Sequence, residues 1–139
     1  MIQFFTSLYS KAIINKLPPV KFPLTHAMCD KNAYETFAEL GSQVLMQFQV
    51  RYGKLMSVVL FKMEDKESIK VYSFEVTSDC HLMDYGTYAM NELKREFSKI
   101  SLNSLVESKV FYEKQGFEQT GETQYTWRKE YAGTIPANT

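Results

Sequence analysis

A chain of 139 residues suits one domain better than two, and with 45% hydrophobic and 23% charged residues it reads as globular rather than disordered. The 16 basic and 16 acidic residues cancel, and the lysines are scattered among acids, so no field draws the chain onto nucleic acid or an anionic membrane. Two widely spaced cysteines, Cys29 and Cys80, form neither a metal motif nor a disulfide framework and read as free thiols of a cytoplasmic protein.

In chain order, residues 2–16 place Ile2, Phe5, Leu8, Tyr9, Ala12 and Ile13 at helical spacing. This predicts an amphipathic, exposed N-terminal helix that could pack on a second copy as a homodimer. Lys11 and the polar Gln3, Thr6 and Ser7 interrupt the apolar run, so it is expected to be neither a secretory signal nor a membrane span. Pro18, Pro19 and Pro23 predict an extended connector after that helix. A second helix is expected over about 30–40, capped by Asp30, facing the core with Ala33, Phe37 and Leu40, and ended by Gly41.

Strands follow. Met46, Phe48 and Val50 alternate with Gln47 and Gln49 over 44–50, a half-buried strand. Arg51 to Lys54 turns the chain into 55–63, where Val58-Val59-Leu60-Phe61 predicts burial on both faces. Residues 69–76 complete an antiparallel meander. After a polar loop at 77–85 the period changes, and Ala89, Met90, Leu93 and Phe97 share one face of a helix over 86–97. A strand at 99–106, a short helix at 108–115 ended by Gly116, and a strand at 122–131 finish the domain. The tail at 132–139 is expected to fray. With no repeat and no linker, the order predicts a single domain over 1–139: a mixed α+β layered fold, mostly antiparallel, with one parallel β-α-β step.

The stretch 103–117, NSLVESKVFYEKQGF, is the most informative. Phe111 and Tyr112 point to different sides of a short helix, so one can pack on the sheet while the other reaches a cleft. Gly116 permits a left-handed reversal, and Phe117 re-enters the core. This stretch resembles the end of the GNAT acetyltransferase family, where a short helix carries an A-x-x-x-Y-x-x-x-G-F signature. Phe111-Tyr112-Glu113-Lys114-Gln115-Gly116-Phe117 matches the end of that pattern, and the element order extends the resemblance over about residues 25–131.

The resemblance implies a central, mostly antiparallel sheet with helices on both faces and an N-acetyltransferase activity. That activity would move acetyl from acetyl-CoA to a primary amine of a small molecule or protein. It implies that Tyr112 protonates the departing CoA thiolate and that Glu75, near the end of the third strand, stands where some members keep a general base. Backbone groups near Phe74 and Val76 would align the pantetheine arm, and the N–H groups of Gly86, Thr87 and Tyr88 would hold the pyrophosphate. Read from the residues alone, Tyr112 could equally be a packing tyrosine. Strand alternation could likewise leave Glu75 opposite Phe74 and Val76, in solvent.

The family's phosphate loop has the form Q/R-x-x-G-x-G/A. Here Met83 stands where Gln or Arg belongs and Tyr88 where Gly or Ala belongs, while Asp84 would repel a phosphate. A register one residue earlier puts Tyr85 at the first glycine position. The alternative implied by this degenerate loop is a catalytically inactive GNAT-shaped binding or assembly module, of phage or viral type, with Tyr88 plugging the site. His81 could deprotonate an amine. His26 has no partner in the sequence, and Cys80 beside His81 makes no nucleophile pair because adjacent loop residues point apart.

Overall fold

Strands dominate the first half of the chain because its segments are rich in Val, Ile, Phe and Tyr, which fit a pleated surface. The computed structural model describes residues 1–28, 44–77 and 84–130. Its strands are β1 (Ile2–Leu8), β2 (Val44–Arg51), β3 (Lys54–Met63), β4 (Ser68–Val76), β5 (Lys99–Asn103), β6 (Glu118–Gln119) and β7 (Gln124–Arg128). Its helices are α1 (Lys11–Asn15), α2 (Pro23–Met28), α3 (Tyr85–Glu96) and α4 (Lys109–Lys114), the last preceded by a 3₁₀ turn at Val106–Ser108. The sheet order is β1-β2-β3-β4-β5-β7-β6. All its pairings are antiparallel except β4 with β5, the step that α3 crosses.

The expected doubly buried strand is β3. Val58 and Leu60 enter one core with Ile14 of α1 and Phe22. Val59 and Phe61 enter the other, with Met90 and Leu93 of α3 and Ile100, Leu102, Tyr125 and Trp127. Helices therefore cover both faces: α1 and α2 on one, α3 and α4 on the other.

Four expectations need correction. Residues 2–8 form an edge strand rather than the start of a helix; their side chains are Ile, Phe, Phe and Thr among few helix formers, and Ser10 starts the helix afresh. The Ser10 side chain accepts from Ile13 N–H at 3.3 Å, a helix cap lying inside the apparent periodicity. Pro23 does not extend the chain but opens α2, the first-turn position where its missing N–H is harmless. The strand expected at 99–106 ends at Asn103, and the final strand is a hairpin, β6–β7. The helix expected at 30–40, Cys29, Cys80, His81, Met83 and the tail at 132–139 lie outside the described residues.

Candidate functional site

A bulge determines what β4 offers the site. Val71 pairs with Phe61 and Ser73 with Leu60, leaving Tyr72 as an extra residue. Ahead of it, Ile69 and Val71 face the α3 side. Beyond it, Phe74 faces that side, Val76 lies against α3, and Glu75 points the other way. The kink falls where β4 leaves β5, since their last pair is Val71 with Leu102. From Tyr72 to Val76, β4 has no partner strand on its β5 side among the described residues, and a cleft of about 560 Å³ opens there.

The first turn of α3 forms one wall, with Asp84, Gly86 and Thr87. The first intrahelical bond runs from Tyr88 N–H to the Asp84 carbonyl at 3.0 Å, so the N–H groups of residues 85–87 have no helical acceptor. Asp84 makes no side-chain cap. Gly86 is required by close approach: a Cβ there would meet the Phe111 ring at 3.2 Å and Val76 at 3.5 Å. The Thr87 hydroxyl accepts from Gln115 at 3.0 Å, tying α3 to the end of α4.

Tyr88 is 43% exposed and outside the cleft, packed edge-on against Tyr85 at 6.1 Å. It neither plugs the site nor enters the core. On this turn Gly86 and Thr87, and not Tyr88, line the cleft. Tyr85 turns inward, 4% exposed, and its hydroxyl accepts from Arg51 at 2.7 Å.

Tyr112 lies in the opposite wall, 8% exposed, within ring contact of Phe74, Phe111 and Phe117. Burial pushes its phenol up to about 12. Helix α4 fixes it through a Schellman ending: Phe117 N–H donates to the Tyr112 carbonyl at 3.1 Å and Gly116 N–H to Glu113 at 3.0 Å. Gly116 sits at φ 89°, as the sequence implied. Lys94 donates from α3 to the Gln115 carbonyl and lies over Trp127, and burial holds its ammonium below the usual lysine range.

Glu75 is not in solvent. It is 6% exposed, because α2 covers its face of the sheet. Its Oε2 accepts from Leu24 N–H at 2.9 Å, and its Oε1 accepts from Thr25 N–H and Thr25 Oγ1, both at 2.7 Å. The carboxylate thus serves as the cap that α2 lacks in its own sequence. Pro23 and Leu24, held in this way, become a third wall of the cleft. His26 donates to the Leu17 carbonyl at 2.8 Å and is a structural residue.

The structure therefore brings Phe74, Glu75, Val76, Gly86, Thr87 and Tyr112 together and leaves Tyr88 out. Sequence reasoning missed Pro23, Leu24, Glu107, Ser108 and Phe111 as cleft residues. Proline at a helix start was the available signal for the first two. The cleft's ionisable lining is acidic, with Glu75, Asp84 and Glu107 and no Lys, Arg or His among the described residues.

No protein-family model and no curated protein matches the sequence. Solved structures do match the fold. GCN5 of Tetrahymena aligns with a TM-score of 0.66 at 14% identity, over 91% of this chain and 95% of that one. An acetyltransferase from Thermus thermophilus gives 0.65 at 12% identity, over 90% and 96%. A GNAT family acetyltransferase from Elizabethkingia anophelis, solved with acetyl-CoA bound, gives 0.58 at 9% identity, over 90% and 97%. With its seven-stranded sheet, its single parallel step and its helices on both faces, this chain has the GNAT acetyltransferase fold.

Proposed function

We propose that the protein is an acyltransferase that moves acetyl from acetyl-CoA to a primary amine of a small molecule or protein. One observation carries the reading: where β4 parts from β5 a cleft opens, with the first turn of α3 at one wall and a buried phenol at the other. The cleft-lining end of β4 at Phe74 and Glu75 suits an extended amide-bearing arm such as pantetheine, and the amides of residues 85–87, which have no acceptor within the helix, suit its pyrophosphate. Fold alone does not establish chemistry, and the activities of the matching structures belong to those proteins.

In the reaction, the amine nitrogen attacks the thioester carbonyl, the C–N bond forms, the C–S bond breaks, and the sulfur leaves as thiolate. A phenol held near 12 stays protonated at neutral pH. Full transfer of its proton to a thiolate, whose acid lies near ~8.5, is uphill. Tyr112 therefore acts as a hydrogen-bond donor to the departing sulfur, and the attacking nitrogen supplies the proton that neutralises it. Glu75, with three donors already on its oxygens, holds the α2 wall in place instead of serving as base. A cytoplasmic site of action fits the two lone cysteines, and no described helix is long and apolar enough to cross a membrane.

A second reading, an inactive binding or assembly module, is favoured by the acidic lining, which opposes a polyanionic ligand. Calorimetry with acetyl-CoA, followed by free-thiol release across a panel of primary amines, separates the two. The enzyme reading expects saturable binding, and Tyr112→Phe should bind normally while turning over about 10- to 100-fold more slowly. Folded protein that binds no acetyl-CoA leaves the module.

A further inference from the structure

The sheet has two edges, and the chain treats them differently. The β6 edge is two residues long, both exposed, one of them Glu118. The β1 edge runs the full length of Ile2–Leu8, and its outer side has no strand partner among the described residues. Residues 1–10, MIQFFTSLYS, contain no charged side chain and no proline. Edge strands in soluble monomers are normally guarded by charge, proline, a bulge or brevity. Here none of these is present, and Phe5 and Leu8 are 54% and 62% exposed.

We propose that β1 is a homodimer interface in which it pairs antiparallel with β1 of a second copy, about a two-fold axis through Phe5. The occupant follows from the sequence of the strand itself. Pairing about Phe5 sets Ile2 opposite Leu8 of the second copy, Phe4 opposite Thr6, and Phe5 opposite its own counterpart. Apolar or aromatic pairs thus form on both faces, and no charge meets a like charge. Such an isologous contact closes at two copies, because the short acidic β6 edge offers no continuation. The dimer would be one sheet running through both subunits. The residues first read as a helical dimer surface would thus serve as a strand.

Sedimentation velocity across a concentration series, with sedimentation equilibrium for the affinity, tests this on the full chain. Wild type should reversibly form a dimer and no larger species. Phe5→Lys sets two ammonium groups against each other at the axis and should raise the dimer dissociation constant roughly tenfold or more. Leu8→Asp, on the opposite face, should do the same, and circular dichroism and melting confirm that each variant is folded. Val106→Lys, at an apolar side chain 89% exposed elsewhere, should leave the dimer intact. A monomeric wild type, an open-ended assembly, a dimer that survives in the folded β1 variants, or one lost in Val106→Lys overturns the proposal.

Discussion

At the scale of single residues, burial and helix register determine what each side chain can do. The Tyr112 phenol is raised from 10.0 to about 12 by desolvation. A folded-state value above the unfolded one gives stability that is complete below pH 10 and is lost as pH rises from 10 through 12. The loss from this group is up to ~3 kcal/mol, and denaturant melts of wild type against Tyr112→Phe should diverge in that window alone. Asp84 precedes the three α3 amides that have no acceptor within the helix, and no Lys, Arg or His lines the cleft among the described residues. Asp84→Asn should tighten acetyl-CoA binding about fivefold by calorimetry, the equivalent of ~1 kcal/mol. Tyr88→Gly should leave that affinity unchanged and lower helix stability by about 1 kcal/mol, since the ring lies outside the cleft. The places of Tyr112 and Gly86 in the cleft were legible because each stands at a fixed distance from a helix end. The orientation of Tyr88 was not, because a shift of one residue turns a helical side chain by about 100 degrees.

At the scale of elements, α2 is a short helix kept by a residue fifty positions away. Its first-turn donors end on Glu75, and charge-assisted bonds of this kind contribute about 1.5–3 kcal/mol each. Glu75→Gln keeps one acceptor and turns an N–H₂ toward the other donors. We expect a loss of about 2 kcal/mol in global stability and faster hydrogen exchange at Leu24 and Thr25, with the sheet amides unaffected. Unchanged exchange at those two amides would falsify the clip. No sequence pattern announces such a long-range cap, because the signal normally sought lies next to the helix. The opposite holds for α4, whose ending is local: Gly116 and the Tyr112–Phe117 contact sit within a few residues of each other, and both were readable. The β1 strand was misread for a related reason. Its apolar positions satisfy the helical period, while an edge strand has no strict alternation to contradict it.

At the scale of the whole molecule, the meander β2–β4, the crossover α3 and the return to β5 were all legible. Each boundary there coincides with a change of period or a turn residue. The bulge was invisible, since Tyr72 reads as an ordinary strand residue and reveals itself only through its neighbours' pairing. Its effect is best described as a change of phase. Before Tyr72, odd-numbered side chains of β4 build the α3-side core; after it, even-numbered ones face α3, and Glu75 is released to hold α2. A single strand is thereby divided between two tasks, its first half belonging to the sheet and its second to the cleft. Variation at Ile69 or Val71 is thus written in stability, and variation at Phe74 or Val76 in the shape of the space between β4 and β5. Removing the one extra residue would exchange the two, turning the carboxylate toward α3 and an aromatic ring toward the helix it was meant to cap.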